Sequence, residues 1–269
     1  MPDHSRPVGP KIIAVANQKG GVGKTTTAIN LSAALAEAGA RVLVVDLDPQ
    51  GNASTGLGIE VEDRTMTTYE LLLDDIELGS VILQTVTPNL MIIPATTDLS
   101  SADLELMSNE KRSFLLHDAL RQTAMDAFDL DFILIDCPPS LNLLTVNAMI
   151  AADSILVPLQ SEFFALEGLS QLMLTIREVR QSGNKDLRIE GVVLTMYDAR
   201  NNLSLQVEQD ARENLKDLVF ETCIPRNVRV SEAPSFAMPV LTYDTASKGA
   251  QAYRALAREV LHKNKVHVA

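Results

Sequence analysis

The stretch Lys19-Gly20-Gly21-Val22-Gly23-Lys24-Thr25-Thr26 constrains this chain more than any other. It follows an apolar run, Ile12-Ile13-Ala14-Val15-Ala16, and leads into a helix-like segment from Thr27 to Ala38. Strand, glycine-rich turn, Lys-Thr and helix in that order is the arrangement of a phosphate-binding loop. The glycines allow consecutive backbone N–H groups to converge on a polyphosphate with no Cβ in the way. The helix N-terminus behind them adds free donors and a partial positive charge. Lys24 brings a full charge to the phosphates, and the Thr25 hydroxyl is a ligand type suited to Mg²⁺.

One position departs from the general pattern. Where the motif's first glycine is expected the chain has Gln18, and a second lysine, Lys19, opens the loop. The physical requirements for holding phosphate remain. The bland alternative is a glycine turn between strand and helix with incidental lysines.

Beyond the loop, apolar strand candidates alternate with helical segments. Arg41-Val42-Leu43-Val44-Val45-Asp46 is a near-continuous β-branched run, as suits a parallel strand buried on both faces. Further strands are expected at Asn89–Pro94, Phe132–Asp136, Ser154–Pro158, Glu190–Met196 and, shorter, Val219–Ile224. Helices are expected at Leu99–Met107, Arg112–Ala127, Leu141–Ala152, Leu166–Gln181, Leu203–Leu218 and Ala246–His262. The alternation predicts an α/β fold, a doubly wound, mostly parallel sheet with helices on both faces. Residues 1–10 read as a loose tail and 11–269 as a single domain, since no repeat or long linker interrupts them.

In such a sheet ligands sit at the carboxyl ends of the strands. Asp46 and Asp48 stand at or just past the end of one strand, and Asp136 closes Phe132-Ile133-Leu134-Ile135. An aspartate ending an apolar strand near a phosphate loop is placed to hold Mg²⁺ directly or through water. Each acid also has a structural reading: Asp46 and Asp136 as strand-end caps, Asp48 as the start of the Pro49 turn.

Composition excludes several classes. The net charge of −12 argues against a generally basic, nucleic-acid-binding surface. The acidity is uneven, however. Residues 1–175 carry 9 basic and 23 acidic side chains, residues 176–230 carry 9 of each, and residues 231–269 carry 5 and 3. A local basic patch in the last third is therefore allowed. Cys137 and Cys223 form no CxxC pair and suggest neither a disulfide framework nor a zinc site. The polar N-terminus has no signal-peptide core, and no apolar run approaches a membrane span, which makes a cytoplasmic location the default. After Leu261 no bulky apolar face remains to enter a bilayer, so no membrane partner is expected.

Several motifs together resemble the ParA/MinD class of ATPases. The loop Lys19–Thr26 looks like that class's deviant Walker A motif, and Val45-Asp46-Leu47-Asp48-Pro49-Gln50-Gly51-Asn52 like the switch of its ParA (Soj) branch. The resemblance continues through Asp136-Cys137-Pro138-Pro139 and Thr195-Met196-Tyr197-Asp198-Ala199-Arg200. It then takes in Ile224-Pro225-Arg226-Asn227-Val228-Arg229 and Ser231-Glu232-Ala233-Pro234, ending near Tyr243-Asp244.

The resemblance implies an ATP- and Mg²⁺-dependent homodimer with nucleotides held between the subunits. Lys19 would reach across to the partner's phosphates, and Gly20 would permit the two loops to approach. Lys24 and Thr25 would act within their own subunit, with Gly21, Val22, Gly23 and Thr26 completing the cradle. Asp136 and Asp46 would support the metal, and Asp48 would orient the attacking water. Pro225 and Asn227 would lie against adenine, and Arg200 and Arg229 would bind double-stranded DNA without sequence preference, with Arg226 and the Asn201–Asn202 loop as weaker candidates. The implied function is DNA partition on the nucleoid, with slow hydrolysis stimulated by a ParB-type partner. The same cycle positioning a plasmid or protein cluster is an alternative. A redox or metal-carrier role of the nitrogenase-reductase type is a remote one, since it needs cysteines placed to share a cluster.

Overall fold

The central strands carry apolar residues on both sides, and each side is covered by its own layer. A computed structural model of the chain describes residues 9–266 apart from 75, 163 and 164, so most of the expected N-terminal tail lies outside the described residues. In chain order the elements are β1 (Lys11–Val15), α1 (Lys24–Glu37), β2 (Val42–Asp46), α2 (Asn52–Gly56), α3 (Thr68–Leu73), β3 (Leu83–Gln84) and β4 (Leu90–Ile93). They continue with α4 (Ala102–Glu105), α5 (Leu115–Leu120), β5 (Phe132–Asp136), α6 (Leu143–Ala151), β6 (Ser154–Gln160), α7 (Ala165–Ser182) and β7 (Arg188–Thr195). The last are α8 (Asn202–Leu215), α9 (Val228–Glu232), α10 (Val240–Tyr243) and α11 (Lys248–Asn264).

The strands form one sheet in the order β3-β4-β2-β5-β1-β6-β7, parallel except for the β3–β4 pair. Ile13 and Val15 of β1, with Val42 and Val44 of β2, pack on α1 and α11. Ile12 and Ala14, with Leu43 and Val45, face α3, α5, α6 and α7. This is the doubly wound sheet expected from the sequence. Two-sided burial explains why the strands read as unbroken apolar runs instead of alternating ones.

Three expectations need correction. Leu99–Met107 is a short α4 flanked by 3₁₀ turns at Thr97–Ser101 and Leu106–Ser108, and Arg112–Ala127 reduces to α5 with a 3₁₀ turn at Thr123–Phe128. Ser100 and Ser101 hydroxyls donate to the carbonyls of Thr97 and Asp98, offering the backbone local partners that compete with a regular helix. Asn147 on α6 accepts from Leu116 N and donates to Arg112 O, so a tertiary partner fixes where α5 begins. Val219–Ile224 is not a strand: Val219 makes a single pairing with Val192, and Pro225, just past it, another with Tyr197. The Glu259 carboxylate on α11 takes the N–H groups of Glu221 and Thr222, donors that a ladder would need.

β1 sits at the topological switch point. From it the chain leads to β2 on one side of the sheet, while β5 leads across to β6 on the other. In register, Val15 pairs with Asp136, and Asp136 with Asp46. The loop after β1 and both acids therefore emerge at one edge.

Candidate functional site: a phosphate loop against buried acids

Gly21 and Gly23 take the left-handed conformation, with φ of 74° and 87°, which a side chain rarely tolerates. Gly23 stands at the N-cap of α1 with no side chain bonding the first turn. By contrast, the side chains of Asn142, Asn201, Asn227 and Ser247 cap α6, α8, α9 and α11. A cap contributes about 1 kcal/mol, whereas each buried Leu or Ile contributes about 1.5–3. Helix α1, buried along most of its length, is thus held by packing, and its first N–H groups remain available to an anion. The loop is also braced from neighbouring strands. Thr195 Oγ1 at the end of β7 donates to Val22 O (2.8 Å), Lys19 N donates to Asn17 Oδ1 (3.0 Å), and Asn17 Nδ2 donates to Pro158 O on β6 (2.7 Å).

Lys24 is 5% exposed, and its Nζ donates to Lys19 O at 3.1 Å. Burial lowers its pKa, while Asp136, Cys137 and Asp48 oppose that shift. Asp136 is fully buried, and among the described residues neither carboxylate oxygen has a hydrogen-bond partner. Burial, then the adjacent Asp46, raises its pKa well above the ordinary carboxylate range, and the Thr25 hydroxyl and Lys24 offset part of this. An orphaned, desolvated carboxylate beside a hydroxyl is a hard-oxygen donor set that suits Mg²⁺.

Asp46 is equally buried but differently used. Its Oδ2 accepts from Ser54 N (2.8 Å) and Ser54 Oγ (2.7 Å), and its Oδ1 accepts from Asp48 N (3.2 Å). Burial pushes its pKa up to about 6 against those bonds. The sequence groups Asp46 with Asp136 as metal supports; in the structure both Asp46 oxygens accept hydrogen bonds from Ser54 or Asp48, whereas those of Asp136 accept none. Asp48 itself is 8% exposed, with Oδ1 accepting from Gln50 N (3.0 Å). Lys19 points elsewhere than Lys24. Its Nζ makes an exposed ion pair with Glu162 at 2.6 Å.

The DNA candidates lie beyond β7. Pairing of Tyr197 with Pro225 sets the loops 197–200 and 224–229 side by side, and Arg226 N donates to Tyr197 O (3.0 Å). Arg200 is solvent-exposed and donates from Nε and Nη2 to the two oxygens of Asp198, both at 2.9 Å. This fork holds the Asp198 pKa down at about 2. Arg229 pairs with Glu232 (3.0 Å) and Asp244 (3.2 Å). Asn227 Oδ1 accepts from Val230 N (3.3 Å), so its side chain caps α9.

The cysteines are unsuited to cluster chemistry at a surface. Cys137 is fully buried with its thiol pKa pushed up by burial and Asp136, and the half-buried Cys223 is pushed up to about 11. Among the described residues no helix is long and apolar enough to cross a membrane. Sequence reasoning missed Glu162, Thr195 and Arg64 as neighbours of the site. Thr195 ends an expected strand, but none of the three carries a local signal for this site, and each reaches it only through tertiary contact.

Residues 10–189 match the AAA domain family. The chain is 56% identical over 255 residues to the chromosome partitioning protein ParA of Caulobacter vibrioides, covering 95% of each. It is 52% identical to the sporulation initiation inhibitor protein Soj of Bacillus subtilis, covering 93% of this chain and 98% of Soj. The solved structure of cobyrinic acid a,c-diamide synthase from Mycobacterium smegmatis, with bound ATP analogue and magnesium, is similar at 38% identity and a TM-score of 0.81 over 96% of each chain. The first two are the more similar in sequence, and the third shares the fold. With this identity over more than nine-tenths of its length, this chain belongs to the ParA/Soj family of chromosome partitioning ATPases.

Proposed function

We propose that the chain binds and hydrolyses ATP with Mg²⁺ and works as a nucleotide-controlled switch in DNA partition. The observation that carries this reading is the buried, partnerless Asp136 carboxylate set against Lys24 and Thr25 beside the uncapped N-terminus of α1. Lys24 and the N–H groups of Gly20–Thr26 hold the phosphates, and Asp136 and Thr25 are the residues that would hold magnesium. When bound, the ion screens charge on the β- and γ-phosphates. Asp48 orients the attacking water, and Asp46 fixes it from below. Pro225 and Asn227 belong to the stretch facing adenine, Asn227 through its place in the chain more than through its amide oxygen, which caps α9.

ATP brings two subunits together with nucleotide between them, and Lys19 serves the partner's phosphates. The exposed pair with Glu162 is a contact of the kind worth about 0–1 kcal/mol, so exchanging it for a phosphate is cheap. In the dimer Arg200 and Arg229 of both subunits bind double-stranded DNA through phosphates, on a cytoplasmic protein associated with the nucleoid. Doubling the patch offsets the acidic background. A ParB-type partner stimulates slow hydrolysis and releases the DNA. Residues 11–269 act as one domain behind a short tail, with no membrane contact.

The test is DNA binding measured with ATP, with ADP and without nucleotide across a salt series. ATP-dependent binding that weakens steeply with salt supports the scheme, because phosphate contacts release counterions. Binding that ignores nucleotide sinks it.

A further inference from the structure

Arg64 is a charged side chain in a costly place. It is 8% exposed, and its partners are carbonyls and a hydroxyl rather than a carboxylate. Nε and Nη2 donate to Ile59 O (3.2 and 2.7 Å), Nη1 donates to Gly51 O (3.3 Å) and Ala95 O (3.2 Å), and Nη2 also donates to Thr55 Oγ1 (2.8 Å). A buried charge on neutral partners is a poor route to stability, since desolvation outweighs much of what the bonds return. Its distinctive effect is to tie both ends of the 51–59 segment to each other and to Ala95 beyond β4.

These ties close on Asp48. Asp48 O accepts from Gly51 N (2.9 Å), Gly51 O accepts from Arg64, and Arg64 donates onward to Ala95 O. Ala95 N donates to Ser54 Oγ (3.0 Å), Ser54 Oγ donates to Asp46 Oδ2 (2.7 Å), and Asp46 Oδ1 accepts from Asp48 N (3.2 Å). The ring begins at the carbonyl of Asp48 and returns to its N–H. Gly51 shows how tightly it is drawn. Its φ is 62°, and a Cβ there would lie 2.4 Å from Arg64 Nη1 and 2.8 Å from Ala95 O.

We propose that Arg64 is a positioning residue for Asp48, closing a hydrogen-bonded ring that holds the Asp48 backbone from both sides so that its carboxylate stays aimed at the attacking water. This rests on the water-directing role proposed for Asp48. The planar fork of a guanidinium can serve Gly51, Ala95, Ile59 and Thr55 at once, and a lysine ammonium cannot. Arg64 acts through Gly51 and Ala95 and touches no reacting atom.

The experiment uses the full chain with Mg²⁺-ATP and compares Arg64→Lys, Thr55→Val and Asp48→Ala with wild type. Thr55 is exposed, so Thr55→Val removes one of the ring's braces from a tolerant site. The readouts are single-turnover phosphate release, affinity for a fluorescent ADP, and hydrogen exchange of residues 46–56 against 19–27, all well below the melting temperature. Arg64→Lys is expected to slow turnover about tenfold or more, since displacements near 1 Å cost up to about a hundredfold, with ADP affinity within about twofold. Exchange should rise in 46–56 and not in 19–27. Thr55→Val should show the same pattern at about two- to threefold, and it decides the matter if Arg64→Lys does not fold. Wild-type turnover in folded Arg64→Lys, or in Thr55→Val when that variant decides, overturns the proposal, as does a loss of ADP affinity matching the loss of rate. Asp48→Ala separates the two levels. Normal turnover there removes the reading of Asp48 itself, whereas slow Asp48→Ala beside normal ring variants removes only the role of Arg64.

Discussion

Two charged clusters stand at the carboxyl edge of the sheet, and they are built on opposite principles. Around Lys24, Asp46 and Asp136 the charges are desolvated, and burial dominates all three pKa shifts. Around Arg200 and Arg229 the side chains are 90% and 52% exposed, and each is paired with nearby acids. The first cluster is incomplete without a ligand, since Asp136 has no partner of its own. The second is neutralised within the chain and must exchange one anion for another. A buried cluster should therefore answer to pH and to bound ions, and an exposed one to salt and to mass action.

Removing charge from the buried side is the strongest way to break this contrast. Lys24→Ala should weaken ATP and ADP binding roughly a hundredfold or more, as truncation of a buried charged contact does. Titration with a fluorescent nucleotide measures it, and near-normal affinity would place Lys24 outside the phosphate site. Lys19→Ala, on the same loop but facing solvent, should leave monomer affinity within about twofold while lowering turnover at least about tenfold, as loss of a charge supplied in trans does. A pure affinity defect would contradict its assignment to the partner's site.

The buried acids also give a pH test. Asp46 titrates at about 6 in the fold, against about 3.9 unfolded. Its favourable contribution is complete below about pH 4 and is lost as pH rises through 6, so the ionised form weighs against the nucleotide-free fold at neutral pH. Urea unfolding of wild type and Asp46→Asn should show wild type losing roughly 2 kcal/mol relative to the variant between pH 4 and pH 7.5. A gap that does not change with pH would break the assignment.

On the exposed side, effects should be smaller and should depend on salt. Arg229→Glu should reduce ATP-dependent DNA affinity about tenfold and flatten the salt slope by about one per subunit, with dimerisation by light scattering intact. Loss of both properties together would make Arg229 structural. Asp198→Asn frees Arg200 from its fork and should tighten DNA binding about two- to threefold, in line with the small worth of exposed pairs. No gain would mean that Arg200 does not meet DNA.

The two regions were not equally legible in the sequence. The phosphate loop could be read because its chemistry is local: three glycines, two lysines and two threonines within eight positions, between a strand and a helix. The acids could be placed at one edge because parallel strands carry their ends to the same side. The division of labour between Asp46 and Asp136 could not be read. Both end apolar strands, but Ser54, brought back by the turn after Asp48, and the Asp48 N–H take up the Asp46 carboxylate, while Asp136 is left bare. The helices expected at Leu99–Met107 and Arg112–Ala127 failed for a related reason. Periodicity reports a buried face, but serine hydroxyls and the distant Asn147 decided where the backbone bonds went.

By itself the sequence determined a doubly wound sheet, a phosphate loop at the end of β1 and a family resemblance, because these depend on periodicity and on residues adjacent in the chain. The tertiary structure alone decided that Lys19 leans on Glu162, that both DNA-candidate arginines are already paired, and that Arg64 closes a ring around Asp48. The Lys19–Glu162 pair and the Arg64 ring join residues far apart in sequence through single side chains, and the short-range pairs of Arg200 and Arg229 depend on loop conformation, so hydrogen-bond geometry and desolvation act only once the fold has set both.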